Sequence, residues 1–312
     1  MQPIISPVDV ALIEAELTEE KFVRNTNNGK NLIYSVTYHN SPNLVREIAR
    51  LREVTFRKAG GGTGKEMDMD IFDTRPNPYK QLVVWNPEYK EVVGGYRYMR
   101  CGDADRDQNG NLQLATSGLF DLSAKFVNEI LPVTIELGRS FVQPNFQPTA
   151  GNRKGLFSLD NIWDGLGAIT VDNPDIKYFY GKVTMYRHYN VQARDMILYF
   201  LKNYFPDPDN LLRPKQPLPI TSDVNYLESL FKGLDYKEGY KVLKHEVGEL
   251  NEHIPPLVNT YMNLSPTMKS FGTALNSTFG EVEETGILVT IADIYESKKE
   301  RHLKTYQKSK HK

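Results

Sequence analysis

Residues 81–100, QLVVWNPEYKEVVGGYRYMR, read as two apolar strands joined by the short polar segment NPEYKE, and therefore as a hairpin. Beyond the hairpin, strands and helices alternate. LPVTIELGRSFVQP reads as a strand, GLFSLDNIWDGLGAITV as a helix, IKYFYGKVTM as a strand and VQARDMILYFLKNYF as a helix. Ahead of the hairpin stand a strand, NLIYSVTYH, and a helix, SPNLVREIARLREVTFRKAG. In that helix Ser41 suits the N-cap and Pro42 the first helical position. Leu44, Ile48, Leu51 and Val54 or Thr55 fall on one apolar stripe, and AGGGTG stops it. A hairpin followed by alternating strand and helix units predicts an α/β (α+β) chain. No strand runs into a Rossmann glycine fingerprint, and no P-loop is present.

The Pro-rich stretch PDPDNLLRPKQPLPI marks a boundary. It closes an expected core over residues 1–210 and opens a second region, 211–312, of mostly helical segments with one late strand, GILVTIADIY. The basic tail KKERHLKTYQKSKHK is expected to be solvated and partly disordered.

The chain has 312 residues, 40% of them hydrophobic, which is enough for a sizeable core. A net charge of −1 carries no general preference for nucleic acid. The single cysteine, Cys101, excludes a disulfide framework and reads as a small apolar filler beside a strand. No apolar run approaches the ~18 residues of a spanning helix, and the N-terminus has no secretory pattern. The expected location is the cytoplasm, compatible with peripheral contact at the inner face of the membrane. The acidic spacing of DADRDQNGN is wrong for an EF-hand, so no metal is expected.

Between positions 52 and 139, charged residues interrupt apolar segments. They are Arg52 with Phe56 one turn later, then Asp68, Asp70 and Asp73 in EMDMDIFD, Arg97 in VVGGYRYM, and Glu136 and Arg139 in TIELGRSF. Any one of them reads as a solvent-facing strand residue or a member of an internal ion-pair network. Together they allow chemistry. A carboxylate at the end of an apolar strand suits a general base, and arginines hold carboxylates or phosphates by paired hydrogen bonds.

LREVTF, DMDIFD, VVGGYRYM and IELGRSFVQP occur in an order that resembles the acyltransferases related to acyl-homoserine-lactone synthases, within the GNAT superfamily. The nearest look-alikes are the hemolysin-like N-acyltransferases that make ornithine and glycine lipids, and SGLFDLS resembles their FDL segment. The match runs over roughly residues 44 to 205. The resemblance implies a GNAT-like fold, a central mixed but mainly antiparallel sheet flanked by helices, with a helical C-terminal extension. The usual acetyl-CoA loop is absent, and NRKGLFSLDNIW stands in its place. The synthases' tryptophan after the phenylalanine is also absent. The first departure, shared by the synthases and the lipid enzymes, argues against a plain acetyl-CoA enzyme, and the second favours the lipid-forming relatives.

The implied reaction moves a (3-hydroxy)fatty acyl chain from acyl carrier protein, or from acyl-CoA, to the α-amine of glycine or ornithine, with no bound cofactor. Carried over residue by residue, Glu136, Arg139 and Arg97 are catalytic. Arg52, Phe56, Asp70, Phe72, Asp73 and Ser140 contact the acceptor side. Arg153, Lys154 and Gly155 contact the phosphopantetheine or carrier. Tyr180, Tyr186 and Tyr189 are unranked candidates to protonate the leaving thiolate, and His188 reads as structural. Carrier protein is acidic, so Arg46, Arg50, Arg57 and Lys58 are docking candidates. A signal synthase, a CoA-dependent acetyltransferase and a non-catalytic acyl-binding domain remain open.

Overall fold

The computed structural model describes residues 1–147 and 154–307. In chain order the strands are β1 (Phe22–Asn25), β2 (Leu32–Val36), β3 (Lys80–Asn86), β4 (Glu91–Arg100), β5 (Phe120–Leu122), β6 (Thr134–Val142), β7 (Tyr178–Met185), β8 (Leu212–Pro214), β9 (Lys269–Asn276) and β10 (Val282–Thr290). The helices are α1 (Val10–Glu16), α2 (Pro42–Lys58), α3 (Ile71–Thr74), α4 (Ser158–Asp172), α5 (Val191–Tyr204), α6 (Val224–Phe231), α7 (Tyr236–Glu249), α8 (Pro256–Met262) and α9 (Glu296–His302). They fall into two compact units. The first holds 1–115, 133–177 and 295–312; the second holds 116–132 and 178–294.

In the first unit the strands run in the order β1-β2-β3-β4-β6, and each neighbouring pair is antiparallel. The hairpin read from 81–100 is β3–β4. Its two strands are buried on both faces, because α2 packs against β6 while α4 packs against β1, β3 and β4. In the second unit β7, β10 and β9 are antiparallel neighbours, and β5 pairs with β8. The chain is thus an α/β fold, as the strand–helix alternation predicts, with mainly antiparallel sheet flanked by helices, as the resemblance implies.

Two local expectations are corrected. Ser41 stands at the N-cap of α2 and Pro42 at its start, as read from the sequence, but the Ser41 side chain makes no capping bond. The carboxylate of Glu16, at the end of α1, accepts from the N–H groups of Asn43 and Leu44 instead, at 3.1 and 2.8 Å. An anion from another element meets the unsatisfied amides of the first turn. The basic tail is not simply solvated. Residues 296–302 form α9 against α4, and His302 is buried with its Nδ1 2.8 Å from Asp164. The tail's residues 308–312 lie outside the described residues.

Candidate active site

α2 has a buried stripe that includes three charged residues, Glu47, Arg52 and Glu53. Each must find partners inside the fold. Glu53, fully buried, accepts from Thr63 N–H and Oγ1, Gly64 N–H and the Arg57 guanidinium. Burial alone would raise its pKa; those donors overcome the effect and lower it. This anchors the glycine-rich loop after α2. The chain then delivers Asp68 and Asp73 to the guanidinium of Arg52, and Asp70 to that of Arg97.

Arg52 is 1% exposed and Asp73 is fully buried. The Arg52 guanidinium meets Asp73 at 2.9 Å and Asp68 at 3.2 Å, and donates to the backbone oxygen of Asp68. Arg97, 2% exposed on β4, meets Asp70 at 2.7 Å and Asp73 at 3.2 Å. Burial would raise the Asp73 pKa, but Arg52 and then Arg97 hold it well below the usual carboxylate range. Burial likewise would lower the Arg97 pKa, and Asp73, Asp70 and Asp68 raise it instead. Asp70 also caps α3 in a reciprocal capping box with Asp73. Phe72 lies within this turn, under the guanidiniums of Arg75 and Arg97 at 5.0 and 5.8 Å from its ring centre.

β6 adds the third arginine by an irregularity. Arg97 opposes Gly138 and Gly95 opposes Phe141, so Arg139 and Ser140 together face the single residue Tyr96. Arg139 takes φ of +51°, the left-handed region. This is a β-bulge, a device that re-aims a side chain. The Arg139 guanidinium reaches Asp68 at 2.8 Å and Asp70 at 3.7 Å. At 14% and 30% exposure, the Arg139 and Asp70 side chains are the open edge of an otherwise buried cluster. Ser140 is half-buried beside Arg139.

Glu136, 1% exposed on the same strand, accepts a hydrogen bond from the Tyr79 hydroxyl. Tyr79 is fully buried, its oxygen accepts from Ala115 N–H at 3.0 Å, and its ring lies 5.2 Å below the Arg97 guanidinium. Burial and then Glu136 push the Tyr79 pKa well above its ordinary value, so the hydroxyl stays a donor. The same two causes raise the Cys101 thiol, which remains an inert neutral filler. Tyr79 therefore bridges the base candidate and the arginine–aspartate cluster.

The structure brings Arg52, Asp70, Phe72, Asp73, Arg97, Glu136 and Arg139 into one linked set of ion pairs, hydrogen bonds and ring contacts, with Phe56 buried on α2 and Ser140 half-buried next to Arg139. Sequence reasoning missed Tyr79 and Gln81. Gln81 lies opposite Arg97 on β3, donates to Asp73 at 2.9 Å and accepts from Arg52 at 3.3 Å. A glutamine inside the apolar run QLVVW was its signal; Tyr79, at the mouth of that strand, offered none. Lys154 lies elsewhere, 3.5 Å from Glu91 and 3.5 Å above the Tyr89 ring, and Gly155 fits tightly under the Phe146 carbonyl. Arg153 lies outside the described residues. Of the docking candidates, Arg50 pairs with Glu47 and Arg57 with Glu53, while Arg46 and Lys58 are exposed. Tyr180, Tyr186, His188 and Tyr189 belong to the second unit; Tyr180 is buried against Phe126 and Phe271. Among the described residues no group of histidine, cysteine or carboxylate side chains could hold a metal, and no helix is long and apolar enough to cross a membrane.

Residues 51–153 match the family model described as an acetyltransferase (GNAT) domain, which spans the whole cluster. The chain is 54% identical over 308 residues to a glycine N(alpha)-acyltransferase of Phocaeicola vulgatus, covering 99% of this chain and 94% of that protein. It is 54% identical over 309 residues to a glycine N(alpha)-acyltransferase of Bacteroides thetaiotaomicron, covering 99% and 92%. Among solved structures it is similar to BjaI, a CoA-dependent acyl-homoserine lactone synthase with SAM and isopentyl-CoA, at 12% identity, a TM-score of 0.38, and coverage of 88% and 87%.

Proposed function

The chain belongs to the family of these glycine N(alpha)-acyltransferases, GNAT-type N-acyltransferases, and on that premise we propose that it moves a fatty acyl chain from acyl carrier protein to the α-amine of glycine, as a step in aminolipid biosynthesis. The observation that carries the acceptor is 54% identity sustained over 99% of the chain. The cluster supports a division of labour. Glycine at neutral pH is an ammonium and a carboxylate. The open edge offers one partner for each, Arg139 for the carboxylate and Asp70 for the ammonium. Arg52, Asp73 and Arg97, all buried, hold that edge in place, with Phe56, Phe72 and Ser140 as its walls.

Glu136 acts as the base, directly or through water. It takes a proton from the ammonium, the freed nitrogen attacks the thioester carbonyl, the C–N bond forms and the C–S bond breaks. The second nitrogen proton leaves with the thiol. Arg153, Lys154 and Gly155 are the proposed contacts of the phosphopantetheine phosphate, where Lys154 would exchange Glu91 for the phosphate. Residues 1–210 carry the transfer core and 211–312 its extension.

The test is an acyl-transfer assay of purified protein with acyl-ACP or acyl-CoA and with glycine or ornithine. Product is expected from acyl-ACP and glycine, and Glu136→Gln should lower kcat by about 100- to 10,000-fold. Product only from acyl-CoA overturns the donor. Product only with ornithine overturns the acceptor. An undiminished rate in Glu136→Gln overturns the base.

A further inference from the structure

The second unit contains a cavity of about 640 Å³, within the ~300–1,000 Å³ range of small-molecule sites. It is bounded by the C-terminal half of α5, the segment through β8, the loop entering α6, and β9 with β10. Leu198, Leu201, Leu212, Leu218, Ile220 and Phe271 make its surface apolar. Gly272, at φ of +83°, leaves β9 without a side chain where it borders the space. On the β9–β10 side the Thr273 and Thr285 hydroxyls are bonded to each other at 2.7 Å.

Three charged residues line the cavity, Lys202, Arg213 and Asp207. Lys202, in the last turn of α5, and Arg213, on β8, are both exposed, at the rim. The Asp207 Oδ2 accepts from the N–H groups of Leu211 and Leu212, at 2.5 and 3.5 Å, while its Oδ1 is buried without a hydrogen-bond partner among the described residues. An apolar interior with two cations at the mouth fits a ligand that is apolar along its length and anionic at one end.

We propose that this cavity binds a single-chain anionic amphiphile, a long-chain fatty acid or its amide with an amino acid, with the chain against Leu201, Leu212 and Phe271 and the carboxylate at Lys202 and Arg213. The proposal concerns binding in the second unit and stands whether or not the transfer reading holds, because the assay contains no donor and no free amino acid.

The probes for calorimetric titration of the full chain are hexadecanoate, dodecanoate, hexadecanoic acid methyl ester and N-hexadecanoylglycine. Hexadecanoate is expected to bind at one site. Dodecanoate should bind at least about tenfold more weakly, since each buried methylene contributes several-fold. Charge reversal in Lys202→Glu/Arg213→Glu should cost hexadecanoate about tenfold while leaving the methyl ester unchanged. Leu218→Trp should block binding by filling the space. Val224, which lines the same opening and is 54% exposed, provides a second variant, Val224→Trp, that the fold tolerates. Tighter binding of N-hexadecanoylglycine identifies the acylated amino acid as the ligand, and tighter binding of hexadecanoate identifies the free acid. Absence of hexadecanoate binding, a methyl ester that binds as well as the acid, or equal affinity in wild type and Val224→Trp overturns the proposal.

Discussion

The residue with the largest consequence for the site is one that no motif contains. Tyr79 is fully buried, and its hydroxyl is shared between Glu136, to which it donates, and the Ala115 N–H, from which it accepts. A hydrogen bond to a charged group contributes about 1.5–3 kcal/mol. Removing it takes one donor from the Glu136 carboxylate. If Glu136 is the base proposed above, Tyr79→Phe is expected to lower kcat by roughly ten- to a hundredfold, with little change in KM for the acceptor. Steady-state kinetics beside an unfolding titration checks this; an unchanged kcat with a lowered unfolding midpoint would assign Tyr79 to packing alone. The arginines behave differently. Arg52 and Arg97 are buried among carboxylates, so truncating either leaves unpaired buried charge and costs about 3–5 kcal/mol. A dead Arg52→Ala protein therefore reports on folding before it reports on catalysis.

At the scale of the element, β4 and β6 hold the site by departing from regular pairing. The register of β4 slips on both edges, between Val84 and Trp85 toward β3 and between Gly95 and Arg97 toward β6. The two glycines of VVGGYRYM sit between those slips. A Cβ on Gly94 would lie 2.3 Å from the Phe141 oxygen, and one on Gly95 would lie 2.2 Å from the Leu82 oxygen. Neither backbone can give way without moving a strand that carries Arg139 or Gln81. Gly95→Ala is expected to cost about 1–3 kcal/mol or more. Gly138→Ala, whose Cβ meets nothing within 4 Å, is expected to change stability by less than about 0.5 kcal/mol. Urea denaturation of the pair checks the argument, and equal costs would remove the close approach as its cause. The bulge at Arg139 explains why a strand carries Glu136 and Arg139 three residues apart yet serves one cluster. In a regular strand that spacing puts the two on opposite faces; the extra residue brings the guanidinium round to Asp68 and Asp70.

For the whole molecule, buried titratable groups set the pH range of stability. Asp73, Glu53 and Asp195 have folded pKa values below their ordinary ones; burial opposes this in each, and guanidinium, hydroxyl and N–H partners overcome it. Their contribution is complete above the ordinary carboxylate pKa, near 4, and is lost as pH falls through the lower folded values. On the alkaline side burial raises Tyr79, and raises Tyr98 and Tyr186 to about 12. The folded chain holds those protons more tightly, so stability is full below the ordinary tyrosine pKa of ~10 and falls as pH rises beyond it. The urea midpoint is expected to be flat between about pH 5 and 9 and to drop on either side. Glu53→Gln should make the acid limb shallower, and Tyr98→Phe the alkaline limb. Limbs unchanged in both variants would locate the titrating groups elsewhere.

Alternation of apolar and polar residues, and the glycine and proline punctuation between them, made the β3–β4 hairpin, α2, α4, β7 and α5 legible from the chain alone, because those signals are local. The order and spacing of Arg52, Asp70, Asp73, Arg97, Glu136 and Arg139 were legible too, since a set of charges inside apolar segments must be paired when buried. What tertiary structure alone decided are contacts between residues far apart in the chain. Tyr79 finds Glu136 across 57 positions, Arg52 finds Gln81 across 29, and Glu16 rather than Ser41 meets the amides of α2 across 27 or 28. The left-handed turn at Arg139 belongs with these. Nothing local favours it in a residue with a Cβ; the pairing of β6 with β4 imposes it, and the ion pair with Asp68 holds it there.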